Sequence, residues 1–255
     1  MSPHLPEEDN PYRSTDDAHP QPASLKTKFI RTGLLIAVLM LIVVPLLMPA
    51  VRSARPAAYR NQCINNVKQL NLAILGYESK HGELPPAYSV DEQGNPLHSW
   101  RTLILPYLAG ETVSEKIDLT KPWDHETNAI ARRTTLYEYK CPMDAVDDNY
   151  TSYVAVTGAE CVFNGSTPCK LSEITDGSSS TLLLVELTGS QIEWMEPRDI
   201  TLKELLAITE ESEANHHGVF IVGYVDGHSE LIEVDIDHEV LRAMATKAGG
   251  EKLGE

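Results

Sequence analysis

Basic residues are the scarce component of this sequence. Its 255 residues carry 21 Lys and Arg against 37 Asp and Glu, a formal net charge of −16. Phosphate backbones are neutralised by clustered Lys and Arg, so this balance argues against a nucleic-acid partner. Phosphate-cradling loops are missing too: neither G-x-x-x-x-G-K-[ST] nor G-x-G-x-x-G occurs. No C-x2-C or H-E-x-x-H spacing offers a zinc site. Ser178, Ser179 and Ser180 sit in D-G-S-S-S-T, not in the G-x-S-x-G elbow of a serine nucleophile. They read as a turn entering a strand. There is no tandem repeat at a solenoid period. What remains is a globular composition, 42% hydrophobic and 23% charged, in a chain long enough for a real core.

One run carries no charge at all. Gly33 to Val51 reads GLLIAVLMLIVVPLLMPAV and has no polar face. As a helix it is about 28 Å long, close to the hydrocarbon thickness of a bilayer. It is longer than the apolar region of a cleaved secretory signal, and Arg55 and Pro56 make a poor cleavage site. The run therefore predicts an uncleaved transmembrane helix over 33–51, bent locally near Pro45. Residues 1–32, rich in Pro and polar groups, read as a disordered cytoplasmic tail. Arg13, Lys26, Lys28 and Arg31 precede the run, and Arg52, Arg55, Arg60 and Lys68 follow it. The positive-inside rule is thus nearly balanced. The folded mass lies behind the run, which sets the expected topology: N-terminus inside, C-terminus outside.

Behind the run, Ile64, Val67, Leu70, Ile74 and Tyr77 recur at steps of three and four, one face of an amphipathic helix. Pro56 is the one strong breaker before Lys80, so a single helix is expected from about 33 to 80. His81-Gly82 and Pro85-Pro86 end it. The remainder is strand-rich. Trp100–Leu108 reads as helical, and a helical stretch runs from the Lys121–Asp124 turn to about Leu136. Thr151–Val156 and Thr181–Leu187 read as strands. Gly218–Val225, the Asp226-Gly227 turn and Ser229–Val234 form a hairpin. Leu202–Ile208 is a short helix, and 238–255 form a last helix and tail.

Several residues invite chemistry. His216, His217 and Asp226 suggest a metal or general-base site, but no further ligand stands at a diagnostic spacing. The ordinary role is a histidine bonded to backbone or to Asp. Asp124, beside His125 and Glu126, reads as a helix N-cap. Asp144, Asp147 and Asp148 form an acidic loop that could hold Ca2+, though without EF-hand spacing. The four cysteines are Cys63, Cys141, Cys161 and Cys169. In an exported domain they allow two disulfides in three pairings. A local Cys161–Cys169 bridge is the first choice, pairing Cys63 with Cys141 is one option, and reduced, partly buried thiols are the alternative.

Fragments in a fixed order carry a resemblance. They are LLMPAVRSAR, QCINNVKQLNLAILGYESKHGELPPAY, SWRTLILPYL, KPWD, YKCPMD, TSYVAVTG, EITDGSSSTLLLVE, and finally His216 followed after nine residues by Asp226-Gly227. From about Leu34 to Val234 the chain resembles the pilin-like domain-of-unknown-function family 1559, abundant in planctomycete bacteria. The resemblance implies an α+β, pilin-like fold: a long N-terminal helix, membrane-embedded in its first half, packed on a small antiparallel sheet. It also implies handling by type II secretion or pilus machinery, and self-association through the N-terminal helix. One place departs from the family. Where members have Gly and then Phe-Thr-Leu-Val-Glu, this chain has Gly33-Leu34-Leu35-Ile36-Ala37-Val38, without the Glu. A lone carboxylate in the membrane is costly, so its absence suits a permanent anchor.

The expected organisation is a tail (1–32), a span (33–51), an extracytoplasmic pilin-like domain (52–237) and a C-terminal helix and tail (238–255). The expected role is that of a non-enzymatic structural or interaction protein of the bacterial inner membrane. No cofactor is expected, and envelope or secretion-system proteins are the partners. The alternative is an extracytoplasmic module binding a carbohydrate or Ca2+.

Overall fold

The computed structural model describes residues 25–250, except 109–111, 146, 188, 212–215 and 217; side chains at 25–27, 49–54 and 209–211 are left aside. Most of the expected tail, the last five residues and His217 lie outside the described residues. Contacts divide the chain into two units, Met1–Ser53 and Ala54–Glu255.

Helix α1 spans Leu25–His81 and runs through Pro45, Pro49 and Pro56. It begins earlier than the charge-free run. Lys26, Lys28, Phe29, Ile30 and Arg31 contain no breaker, so helical propensity carries on through them. Lys28–Met48 has a mean hydropathy of 2.5, with none of it buried. It is long and apolar enough to cross a membrane. His81 is followed by Gly82 at φ +80°, and the Gly82 N–H donates to the Glu78 carbonyl, closing the helix.

In the second unit, the 54–81 stretch of α1 is built into the core. Cys63, Val67, Leu70 and Ile74 are fully buried on the face the periodicity indicates. Strands β1 (Tyr88–Val90) and β2 (Pro96–Ser99) form a small hairpin. Next come α2 (Trp100–Leu103) and α3 (Ala129–Arg132), each one turn long and followed or preceded by a 3-10 turn. The helical reading of Trp100–Leu108 breaks at Ile104, because Pro106 cannot continue an α-helix. The 3-10 turn Glu126–Asn128 that leads into α3 is capped by His125, whose ring accepts from the Thr127 N–H at 3.3 Å, and not by Asp124.

The expected strand at Thr151–Val156 is two pieces, β3 (Tyr153–Val154) and β4 (Val156–Thr157). Between them the Ala155 N–H leaves the ladder to donate to Asp199 at 2.8 Å. Strands β5 (Leu182–Glu186), β7 (Val219–Tyr224) and β8 (Ser229–Glu233) join β3 in an antiparallel sheet of order β3-β5-β7-β8. A short parallel pair links β4 to β6 (Ile200–Thr201). Helices α4 (Leu202–Glu211) and α5 (His238–Ala245) complete the unit. The fold is α+β, with a long N-terminal apolar helix and small antiparallel sheets.

The approach of α1 to the sheet is close. A Cβ on Gly223 would lie 2.7 Å from Val67 Cγ1 and collide with the Asn71 amide. Only glycine lets β7 pass there. Asn71 Nδ2 then donates to the His228 carbonyl at 3.1 Å, tying the β7–β8 turn to α1. A second joint is ionic. Arg101, fully buried, bonds Asp199 at 2.6 Å and donates to the carbonyls of Trp194, Glu196 and Arg198. The Trp100 indole N–H donates to the same carboxylate. Burial pushes the Asp199 carboxyl up, against the pull of Arg101 and the Ala155 and Trp100 donors.

Candidate functional site: a buried cluster of two thiols, an imidazole and a carboxylate

Four polar side chains from distant parts of the sequence meet inside the second unit. Cys63 projects from the buried face of α1. Cys141 follows the 3-10 turn Tyr137–Tyr139. Glu186 ends β5, and His216 stands in the turn before β7. All four are at most 2% exposed.

The frame around Cys141 explains its position. Asn66, on the turn of α1 next to Cys63, donates through one amide nitrogen to the carbonyls of Tyr137 and Lys140, both at 3.1 Å. The Cys141 N–H donates to Ser152 Oγ at 3.0 Å, and Ser152 Oγ donates to Asp144 at 2.9 Å. Asn66 is therefore buried, off the apolar face of the helix, and holds the Cys141 loop to it.

Within the cluster the two sulfurs are 2.6 Å apart. His216 Nε2 is 3.6 Å from Cys141 Sγ and 3.3 Å from a Glu186 oxygen. The other Glu186 oxygen accepts from the Ile221 N–H at 3.3 Å. Burial by itself would lower His216, but its bonds to Cys141 and Glu186 and the carboxylate charge prevail, and it is raised to about 9. The Cys141 thiol is pushed far up, by its contact with Cys63 and by burial, against the pull of His216. Tyr153, fully buried near both sulfurs and Glu186, is also raised, chiefly by burial.

One ligand atom from each of Cys63, Cys141, Glu186 and His216 lies within 4.8 Å of the others. Two thiolates, an imidazole and a carboxylate are a donor set that zinc accepts.

The other residues singled out from the sequence do not join this cluster. Asp226 and Gly227 form the β7–β8 turn. Gly227 has φ +95°, and Asp226 accepts from the His228 N–H at 3.0 Å and contacts its ring at 2.5 Å. Burial opposes it, but these His228 bonds hold the Asp226 carboxyl below the usual range. His216 thus bonds Glu186 and Cys141, not backbone or Asp226. Asp144, Asp147 and Asp148 do not converge: Asp144 accepts from Ser152 and from the Gly189 N–H, while Asp148 pairs with Lys140 at 2.8 Å. All four cysteines are free thiols, and Cys161 and Cys169 pack into different apolar clusters. Burial raises Cys161 to about 11 and lifts Cys169 as well. Lys247 Nζ lies 3.7 Å from Cys169.

Glu186 was the signal that sequence reading passed over. An acid in the apolar run TLLLVEL, on a strand buried along its whole length, needs a partner. That partner is His216.

Residues 52–160 match the family model described as Protein of unknown function (DUF1559). This is the family that the ordered fragments resemble. The match takes in Cys63, Asn66, Arg101 and Cys141, and stops before Glu186 and His216. No curated protein and no solved structure matches the chain.

Proposed function

We propose that this chain is a membrane-anchored, pilin-like structural or interaction protein of the bacterial envelope, with its Ala54–Glu255 unit on the extracytoplasmic side. The observation that carries the reading is the span Lys28–Met48, apolar and with none of it buried. So much exposed apolar surface requires lipid or another apolar partner. The closed, buried polar cluster supports a role built on rigidity and contact. The acidic surface keeps the exported unit soluble and away from anionic lipid. Partners would be other envelope or secretion-system proteins.

The test is alkaline extraction of membranes from cells producing the full chain, with protease added to the outside of intact spheroplasts. The chain should stay in the pellet, and the Ala54–Glu255 unit should be open to external protease. Leu39→Lys with Ile42→Lys should release it, since each lysine near mid-membrane costs roughly 2.5–3.5 kcal/mol. A wild-type chain found in the soluble fraction would defeat the reading.

A further inference from the structure

We propose that Cys63 and Cys141 are a disulfide-forming pair, closed by exchange with an external disulfide, that locks the Cys141 loop onto the 54–81 stretch of α1. The choice between a bridge and a metal site rests on geometry. The two sulfurs stand 2.6 Å apart. Two thiolates on one tetrahedral zinc would be about 3.8 Å apart, given a Zn–S distance near 2.3 Å. A disulfide bond is about 2.05 Å long. The observed pair is nearer the bond.

The cluster also pairs its own polar groups: His216 Nε2 faces the Glu186 carboxylate at 3.3 Å. Finally, the frame does not depend on the sulfurs. Asn66 binds the carbonyl of Tyr137, which opens the 3-10 turn, and that of Lys140, which follows it, and Ser152 holds the Cys141 N–H. The helix and the loop are thus held in place by amide and hydroxyl groups, and the thiols are delivered to one another.

The chemistry is thiol–disulfide exchange. One cysteine, as thiolate, attacks a sulfur of an external disulfide R–S–S–R. That S–S bond breaks, and R–S⁻ leaves with the electron pair. The second cysteine thiolate attacks the protein sulfur of the mixed disulfide and expels the other R–S⁻. The two thiol protons end on the two R–S⁻ groups. The protein thiols lose two electrons, and the external disulfide becomes two thiols. Both cysteines are fully buried once folded, and buried thiols are inert. Exchange therefore takes place while the Cys141 loop is docking. The external disulfide is a protein oxidant of an extracytoplasmic compartment, for which oxidised glutathione substitutes in the tube. From the anchor reading the inference takes only that the compartment is oxidising.

The experiment uses the full chain in detergent. It is reduced and denatured, refolded in a buffer of oxidised and reduced glutathione, then denatured and treated with N-ethylmaleimide. Intact mass and peptide mapping count and place the adducts. Two adducts are expected, on Cys161 and Cys169, with a linked Cys63–Cys141 peptide; four are expected after reduction. Cys63→Ser should give three adducts, and if it does not fold the wild-type count still decides. Four adducts on refolded chain with native near-ultraviolet circular dichroism would overturn the proposal. So would a Cys161–Cys169 bridge, or one zinc per chain accompanied by four reactive thiols. Chain extracted from its own membrane should match the refolded chain. Closure in buffer with four adducts in the extracted protein would uphold the pair and strike down the extracytoplasmic placement.

Discussion

Replacing Arg101 by Met strips the most heavily bonded side chain among the described residues of the second unit. The guanidinium is fully buried and serves Asp199 together with the carbonyls of Trp194, Glu196 and Arg198. Met fills most of the volume, so cavity formation is a minor part of the cost. The main part is an uncompensated buried carboxylate, typically about 3–5 kcal/mol. Asp199 keeps its bonds from Trp100 and Ala155, which holds the loss within that range. For a unit of this size each kcal/mol moves Tm by about 2–4 °C, so a drop of roughly 6–20 °C is expected. All three tryptophans lie in Ala54–Glu255, and Trp100 and Trp194 flank Arg101. Near-ultraviolet circular dichroism melts of the full chain in detergent therefore report this unit. Adding Asp199→Leu to Arg101→Met removes the orphaned charge, so the double variant should melt above the single one. A loss under about 1 kcal/mol for Arg101→Met, or a double variant less stable than the single, would refute the assignment of the cost to the buried charge.

Gly223→Ala should destabilise by about 1–3 kcal/mol, because the new methyl meets Val67 and Asn71; an unchanged melt would show that α1 and β7 can separate freely. His216 is raised to about 9 when folded, against about 6.5 unfolded. Its contribution is therefore complete below about pH 6.5 and is lost as pH rises through 9, up to roughly 3 kcal/mol. Urea midpoints of wild type should fall between pH 6.5 and 10 more than those of His216→Gln, and parallel profiles would contradict the ion pair with Glu186. The permanent-anchor reading predicts that peptide mapping recovers the tryptic peptide beginning at Thr32, intact across Gly33–Leu34; a cut after Gly33 would mean processing without the family's Glu.

The sequence was most legible where one periodicity ran long. Val67, Leu70 and Ile74 are buried as their spacing requires, and the Asp226-Gly227 turn sits between paired strands. Short elements were less legible because tertiary bonds override local preference there. The Ala155 N–H turns to Asp199 and splits an apparent strand. Asn66 looks like a solvent residue by type, yet it is buried as the clamp on the Cys141 loop. The polar cluster was nearly invisible. Its members come from positions 63, 141, 186 and 216, and ligand-spacing motifs detect only sets closed within one or two turns. His216 stands out in the sequence, which points it to backbone or to Asp, but the pairing of β5 with β7 brings Glu186 beside it instead.

The fragments that carry the family resemblance fall at joints between elements. QCINN brings Cys63 and Asn66 to the YKCP loop, the Trp100-Arg101 pair meets Asp199, and Asn71 meets the turn of the Asp226-Gly227 hairpin. A rigid unit needs such joints, and Asn66 allows one of them to be tested apart from the sulfurs. Asn66→Ala leaves the Tyr137 and Lys140 carbonyls without that donor, a cost of about 1–3 kcal/mol. If the amide frame and the Cys63–Cys141 bridge hold the same loop, the loss should be larger in reduced chain than in oxidised chain, where the covalent link still pins the loop. Guanidinium midpoints of both redox forms measure the difference. Equal losses in the two forms would mean that frame and bridge act on separate parts of the structure, and the locking role assigned to the bridge would fail.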